Sequence, residues 1–282
     1  MSIELLMMTS SNLLVAWDPL KGSEGFTALL SINRTTKFGD WPANHDGRPG
    51  DEIAIIRDHT LIFWDARLGS AGFRETFYIS RALESFVGDV SASPAADMIY
   101  LMPPTEFGRY IVTVDIPAGI NSTFPVPQDG FDFISTGDTN GNGRREIVLW
   151  NPSAGSLQSY EPDSLSTRDL LSLEPNSGWA PIVTGNYVGS DADDIAFFNS
   201  RTGAVILWDV TKGSSGFTDL LTLNPGWVIS TQMRDDFDSD GYDDMMFFGP
   251  SGEAVLLGTT VGFIDATGVL RGNVFLGSGD VI

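Results

Sequence analysis

Short apolar runs, each preceded by an acid, recur along this chain and predict its strands. Each run continues for four apolar residues. The acids that open the six runs are Glu4, Glu52, Asp97, Glu146, Asp194 and Asp244. A short continuous apolar run between turn signals is typical of a strand buried on both faces. The pattern therefore predicts six copies of one unit, about 48 residues apart.

One unit, residues 178–226, indicates the order of strands within each copy. We predict strand A at 179–184, strand B at 195–199, strand C at 204–209 and strand D at 217–223. Four short antiparallel strands in a unit of this length are typical of a β-propeller blade. A solenoid of the same repeats is the alternative, but it needs capping repeats, which the sequence does not show.

The two ends of the chain predict how the repeats close. The chain begins at a strand B near residue 5 and finishes with an unpartnered strand A at 273–276. Together they would complete one shared blade and remove the open edges of the ring. We therefore predict an all-β fold, a single six-bladed β-propeller domain over residues 1–282. Its B strands start near residues 5, 53, 98, 147, 195 and 245.

Two loops that lead into strand B have the residue types of a calcium site. Positions 1, 3 and 5 are Asp or Asn, position 6 is Gly, and position 9 is an acid. Calcium takes six to eight oxygen ligands, and alternate positions on a tight loop can converge on one point. In residues 138–146 the predicted ligands are Asp138, Asn140, Asn142, the carbonyl of Arg144, and Glu146. In residues 236–244 they are Asp236, Asp238, Asp240, the carbonyl of Tyr242, and Asp244.

The spacing of these loops distinguishes two kinds of calcium motif. The first six positions match an EF-hand, but Leu149 and Phe247 stand at position 12, where a bidentate Glu is required. A loop that closes at position 9 against a strand resembles the FG-GAP (or VCBS) repeat of integrin-type propellers. The resemblance extends over nearly the whole chain. It implies a calcium-stabilised β-propeller but no single activity, since the family serves adhesion, glycan binding and other recognition.

The remaining loops depart from this motif. Asp40, Asn44, Asp46 and Glu52 have suitable residue types with an insertion, which leaves a third calcium ion open. Residues 89–97 keep only the two end acids and residues 186–194 lack the first acid, so we expect both to fold without an ion. The alternative for all these acids is a set of Asx-turns. Against it, the four predicted ligand carboxylates within residues 236–244 repel one another unless a cation lies among them.

A second repeated segment, Trp-Asp-x3-Gly-Ser-x-Gly-Phe, connects strands C and D in three copies. Its leading pairs are Trp17 and Asp18, Trp64 and Asp65, and Trp208 and Asp209. In a propeller these turns lie on the same face as the calcium loops. If the Trp rings are exposed, they offer a stacking platform for a sugar, with the Asp carboxylates as hydrogen-bond acceptors. The other interpretation is that the Trp rings pack between blades and the turns are only Gly-rich connections.

Charge and composition exclude several classes of partner, site and membrane segment. The net charge of −21 argues against nucleic acid and anionic membrane, which both need a positive face. The absence of Cys excludes disulfides, thiolate catalysis and zinc–thiolate sites. No apolar run reaches 18 residues, so no transmembrane helix is predicted. The N-terminus has no basic segment, so no secretory signal peptide is visible.

These observations predict a non-enzymatic recognition module that binds glycan or protein at an extracellular surface, as a lectin or adhesion protein does. Loops of this class generally need more calcium than a cytoplasm holds, which favours a secreted or cell-surface protein. The two His, His45 and His59, have no nucleophile in a recognisable context, so no catalytic residue is assigned. An enzyme that acts on a polysaccharide in the central funnel and a scaffold subunit of a larger complex are the alternatives.

Overall fold

The computed structural model describes most of the chain. The described residues are 4–9, 11–18, 21, 24, 26–31, 37–38, 44, 52–57, 60–76, 84–88, 90–91, 93, 95–103, 105–106, 108–115, 120–126, 130–237, 240–258, 262–265 and 274–279.

Twenty-four strands in this part of the chain form six antiparallel sheets of four strands each. The first sheet has the order β24-β1-β2-β3, with β1 Glu4–Met8, β2 Leu13–Trp17, β3 Phe26–Ser31 and β24 Val274–Gly279. The second contains β4 Lys37–Phe38, β5 Ile53–Arg57, β6 Thr60–Trp64 and β7 Phe73–Thr76. The third contains β8 Glu84–Gly88, β9 Asp97–Leu101, β10 Tyr110–Asp115 and β11 Ile120–Pro125.

The other three sheets follow the same meander. The fourth contains β12 Asp132–Gly137, β13 Glu146–Asn151, β14 Ser156–Glu161 and β15 Ser166–Ser172. The fifth contains β16 Trp179–Gly185, β17 Asp194–Asn199, β18 Ala204–Trp208 and β19 Phe217–Thr222. The sixth contains β20 Val228–Asp235, β21 Asp244–Phe248, β22 Ala254–Gly258 and β23 Gly262–Asp265.

The chain divides into two compact units. One comprises Met1–Ser80 and Val228–Ile282, with the first, second and sixth sheets. In its first sheet, Leu6 packs in an apolar cluster with Ile53 of the second sheet. The next residue, Met7, packs in another cluster with Met246 of the sixth sheet. Because successive side chains of a strand point to opposite faces, β1 is buried on both sides, which explains its continuous apolar run.

The other unit, Arg81–Trp227, contains the third, fourth and fifth sheets. Strand β13 shows the same two-sided burial. Ile147 and Leu149 join a cluster with residues of the third sheet, whereas Val148 and Trp150 join a cluster with residues of the fifth. Strands β1 and β13 are therefore each packed between two neighbouring sheets of their own unit.

The two ends of the chain meet in the first sheet. Strand β24 pairs antiparallel with β1, with Glu4 opposite Gly279 and Met8 opposite Val274. The sequence places this last strand at 273–276, and the structure extends it to residue 279. Among the described residues, no helix has the length and apolar character needed to cross a membrane.

Candidate functional site

Hydrogen bonds organise residues 138–146 around the carboxylate of Asp138. One oxygen of Asp138 accepts from the backbone nitrogens of Gly141 and Asn142, at 2.8 and 3.0 Å, and the other accepts from Gly143 at 2.7 Å. The closing acid, Glu146, accepts from the backbone nitrogen of Thr139 at 2.8 Å. The loop therefore begins and ends on a carboxylate that holds backbone N–H groups.

Residues 236–244 are held by the same hydrogen bonds, although they belong to the other compact unit. The carboxylate of Asp236 accepts from the nitrogens of Asp240 and Gly241, at 2.9 and 2.8 Å. Asp244 accepts from the nitrogen of Phe237 at 2.8 Å. In both loops the side chain at position 5, Asn142 or Asp240, accepts from the nitrogen at position 7. Asp238 lies outside the described residues.

The donor set of the first loop suits a hard cation. The amide nitrogen of Asn140 lies 2.6 Å from Oε1 of Glu146, so the side chains at positions 3 and 9 converge. Asp138, Asn140, Asn142 and Glu146 offer only oxygen ligands of the type that calcium prefers. Burial raises the pKa of Glu146, because its charged form loses solvation. Among the described residues, no three His, Asp or Glu side chains form a group that could hold a metal ion.

The closing acid makes the same bond in the loops that lack the calcium motif. Asp97 accepts from the nitrogens of Val90 and Ser91, and Asp194 from those of Tyr187 and Val188. The second carboxylate oxygen of Asp97 and of Asp194 is buried, and no described residue hydrogen-bonds it. Burial raises the pKa of each carboxyl to about 6.

The first position differs between the two kinds of loop. Asn186 accepts from the nitrogen of Gly189, which is position 4 of its loop. In the calcium-type loops, the first side chain also accepts from the backbone nitrogens at positions 5 and 6. The feature that separates the two kinds of loop is therefore the wrapping of backbone around the first acid.

The strand register sets each closing acid opposite the residue at the end of strand C. Ile195 pairs with Trp208 and Ile53 pairs with Trp64, so Asp194 faces Asp209 and Glu52 faces Asp65. Each of these Trp-Asp turns supplies a cation. Lys212 contacts Asp209 at 2.7 Å, Arg67 contacts Asp65 at 2.9 Å and Glu52 at 4.0 Å, and Lys21 contacts Asp18 at 2.7 Å.

These cations favour the charged form of two turn acids. Hydrogen bonds from Arg67 lower the pKa of Asp65. Burial opposes the ionisation of Asp209, but hydrogen bonds from Lys212 and Thr211 outweigh it, so the pKa of Asp209 is also lowered. Both carboxylates are thus already engaged within their own turns.

Two of the Trp-Asp turns, those at Trp64 and Trp208, are closed structures with buried Trp rings. In the second sheet the turn forms a 3₁₀ helix, Ala66–Gly72, capped by Asp65, and in the fifth sheet a 3₁₀ helix, Val210–Ser215, capped by Asp209. The indole N–H of Trp64 donates to the carbonyl of Gly69, and that of Trp208 to Gly213. Trp64 is 3% exposed and Trp208 is 2% exposed.

A Phe covers each of these Trp rings and is itself exposed. The rings of Trp64 and Phe73 stack at 5.4 Å, and those of Trp208 and Phe217 at 5.9 Å. Phe73 is 41% exposed and Phe217 36%. Of the two interpretations, the packed arrangement describes these two turns, so neither Trp presents a ring face as a sugar platform. The side chain of Trp17 lies outside the described residues, whereas Asp18 is buried.

The irregular loop before Glu52 is described only in part. Asp40 and Asp46 lie outside the described residues. Asn44 is half-buried, and Glu52 is buried. The third calcium ion therefore stays a prediction.

Two contacts around residues 138–146 have no signal in the sequence. The backbone nitrogen and carbonyl of Asp138 bond the carboxylate and backbone nitrogen of Asp193, at 2.9 and 2.8 Å. Arg168, from strand β15, donates to the carbonyl and the hydroxyl of Thr139. These partners lie 29 or more residues away in the sequence, and the repeat pattern does not predict them.

Solved structures share the fold of this chain. A chain in the crystal structure of a nidogen/laminin complex has a TM-score of 0.58 and 10% identity, covering 98% of this chain and 97% of that one. TolB from Acinetobacter baumannii has a TM-score of 0.50 and 12% identity, covering 89% of this chain and 61% of TolB. The fold is that of a β-propeller. At these identities the likeness concerns the fold alone. No protein-family model matches the sequence, and no curated protein matches it either.

Proposed function

We propose that this protein is a calcium-binding recognition module, a six-bladed propeller of the FG-GAP or VCBS type. Residues 138–146 and 236–244 each hold one calcium ion through the side chains and carbonyls named above. The module binds glycan or protein at an extracellular surface and is not an enzyme. The observation that carries the proposal is the shared hydrogen bonding of the two loops.

The shared hydrogen bonds matter because they aim backbone N–H groups at the first carboxylate. The side-chain oxygens at positions 1, 3, 5 and 9 would then hold the ion. In residues 236–244 all four of these are carboxylates, and their mutual repulsion favours a bound cation. Bound calcium supplies charge neutralisation and holds the loop against the start of strand B. Residues 89–97 and 186–194 have neither Asp nor Asn at positions 3 and 5.

Closure of the propeller is part of the proposal. Each of the six four-stranded sheets is one blade, and the pairing of β24 with β1 completes the first blade with strands from both ends of the chain. This pairing leaves β1 with no free edge. Calcium in the loops of the fourth and sixth blades then stabilises the whole ring, because a ligand that binds only the folded state raises the stability of that state.

The recognition surface differs from the one that the Trp-Asp turns first suggest. Since Trp64 and Trp208 are buried, the turns contribute exposed Phe rings and the cations of Arg67 and Lys212 at their rim. The carboxyls with pKa raised to about 6, Asp97 and Asp194, occupy equivalent positions of the repeat. Their repetition fits a structural role better than the single asymmetric acidic pocket of an enzyme.

Thermal denaturation of EDTA-treated protein tests the calcium proposal. Calcium at about 100 times its dissociation constant adds about 2.7 kcal/mol to the stability of the folded state. We expect this to raise the melting temperature by a few degrees, with magnesium giving less because it prefers a stricter octahedral geometry. Asp138→Ala and Asp236→Ala should each remove part of the shift, and the double variant all of it.

Asp219→Ala is the matched control, because this exposed carboxylate lies on the outer strand β19. Its response to calcium should equal that of the unmodified chain. A melting temperature indifferent to calcium would remove the metal from the proposal and bring the scaffold alternative forward. A calcium response justifies screening a glycan array with calcium and with EDTA, which tests the recognition part separately.

A further inference from the structure

Asparagine is followed by glycine at only two places in the sequence, and both lie in residues 138–146. They are Asn140-Gly141 and Asn142-Gly143, at positions 3 and 5 of the loop. The loop at residues 236–244 has Asp238 and Asp240 at these positions. At positions 3 and 5, the first loop therefore has an amide where the second has a carboxylate.

Glycine after asparagine permits a reaction that larger residues hinder. The backbone nitrogen of the glycine can attack Cγ of the asparagine, because no Cβ blocks its approach. The new N–Cγ bond closes a five-membered imide, the Cγ–Nδ2 bond breaks, and ammonia leaves with the proton that the glycine nitrogen gives up. Water then opens the imide at either carbonyl. The product is aspartate, or isoaspartate with the chain running through the former side chain.

The structure holds both attacking nitrogens on one carboxylate. The nitrogen of Gly141 donates to Oδ1 of Asp138 at 2.8 Å, and the nitrogen of Gly143 donates to Oδ2 at 2.7 Å. A carboxylate within hydrogen-bond reach can accept a proton as the new bond forms. Asp138 is thus placed to serve both glycines, and neither proton has to reach bulk water first.

Each asparagine carbonyl also has a donor in place. Oδ1 of Asn140 accepts from the backbone nitrogen of Asn142 at 3.0 Å, and Oδ1 of Asn142 accepts from that of Arg144 at 2.8 Å. Negative charge develops on this oxygen when the glycine nitrogen adds to Cγ, and a fixed N–H group stabilises it. The loop therefore combines a nucleophile, a proton acceptor and an oxyanion donor at each of the two positions.

We propose that residues 138–146 are a site of intramolecular deamidation, with Asn142 reacting before Asn140. The order follows from how firmly each amide is held. The amide nitrogen of Asn140 lies 2.6 Å from Oε1 of the buried Glu146. Both asparagines are exposed, but the amide nitrogen of Asn142 lies 3.5 Å from Glu161, so its hydrogen bond is the longer one. The side chain of Asn142 is therefore freer to turn its Cγ toward the glycine nitrogen.

The consequence of the reaction is a change in the charge of the loop. Conversion of both asparagines to aspartate gives four carboxylates at positions 1, 3, 5 and 9, as in residues 236–244. Under the calcium proposal, this raises the affinity of the loop for calcium, whereas isoaspartate adds a backbone atom and disrupts the ligand spacing. This last step rests on the proposed function, but the deamidation itself does not.

The test is peptide mapping by mass spectrometry after the EDTA-treated full chain has been kept at mildly alkaline pH. We expect conversion at Asn142 roughly tenfold faster than at Asn176, an exposed asparagine followed by serine. Asn224 is the second internal control, since the proline after it has no N–H to lose. Conversion at Asn142 no faster than at Asn176 would overturn the proposal.

Two variants separate the chemistry from simple exposure. Asn142→Gln keeps an amide at position 5 and should abolish the conversion there while Asn140 still reacts. Asp138→Asn removes the proton acceptor but keeps a hydrogen-bonding side chain, and it should slow both conversions. A thermal melt shows whether Asp138→Asn folds. If it does not, the Asn142→Gln result still tests the proposal, and so does the expectation that Asn142 reacts before Asn140.

Repeating the incubation with calcium distinguishes this proposal from the proposed function. Calcium bound to the asparagine oxygens should slow both conversions, with Asn176 unaffected as the internal reference. Conversion that is fast in EDTA and equally fast in calcium supports the deamidation site and contradicts calcium binding at this loop. Slow conversion in EDTA contradicts the deamidation site and leaves the calcium melt to be judged independently.

Discussion

The acid that precedes each buried strand ties the loop before it to the sheet. In four sheets its carboxylate accepts one or two backbone N–H groups from the start of that loop. The sequence shows these acids as a regular feature but does not show what they contact. Their role as loop anchors explains why an acid persists in loops without the other calcium-type residues, such as residues 89–97.

Asp97 allows the free-energy cost of burying such an anchoring carboxylate to be measured. Its pKa is about 6 in the folded protein, raised by burial from 3.8. Between these values the folded state binds more protons than the unfolded state, so stability falls as the pH rises from about 4 to about 6. A shift of two units corresponds to about 3 kcal/mol. Asp97→Asn keeps an acceptor for Val90 and Ser91 without the charge.

We therefore expect Asp97→Asn to be more stable than the unmodified chain at pH 7.5, by on the order of 1–3 kcal/mol, and equal to it near pH 4. Urea denaturation in EDTA at the two pH values measures this difference. The exposed Asp219→Asn should change stability little at either pH. Equal destabilisation by Asp97→Asn at both pH values would show that the hydrogen bonds of the carboxylate outweigh its burial.

The sequence predicts the position of the Trp-Asp turn but not the packing of its Trp ring. The repeated spacing of its Trp, Gly and Phe predicts a loop between strands C and D, and the structure has one there. The spacing does not tell whether the Trp ring is exposed or buried. What decides it is tertiary packing, because the ring of Trp208 lies between Phe217 and the core around Phe197.

The last glycine of this turn is required by a close approach of two backbones. A Cβ at Gly216 would lie 2.2 Å from the carbonyl oxygen of Asp209, whose nitrogen bonds the carbonyl of Gly216. We expect Gly216→Ala to destabilise the protein by about 1–3 kcal/mol, as overpacking generally does. Ser214→Ala, at an exposed position of the same turn, is the control. Urea denaturation that fails to separate the two variants would mean that the turn adjusts at little cost.

The architecture as a whole follows from two-sided burial more than from any single motif. Residues such as Leu6 and Met7 face different neighbouring sheets, so the second strand of each sheet reads as an uninterrupted apolar run. This run predicts the six repeats. The outer strands β3, β15 and β19 are mostly exposed and carry no such signal. Contacts between repeats, such as Asp138 with Asp193, depend on loop conformation.

The pairing of the last strand with the first makes a prediction about the entire chain. Strand β24 pairs with one edge of β1, and both faces of β1 lie in apolar clusters. Removal of β24 therefore exposes unpaired N–H and C=O groups on an otherwise buried strand. A chain that ends at residue 271 should therefore lose the cooperative thermal transition of the full chain and aggregate. Removing only residues 281–282 leaves β24 intact and should change the melt little. If the chain ending at residue 271 melts as cooperatively as the full chain, the first sheet is stable with three strands. The proposal that β24 completes a closed ring would then lose its energetic basis.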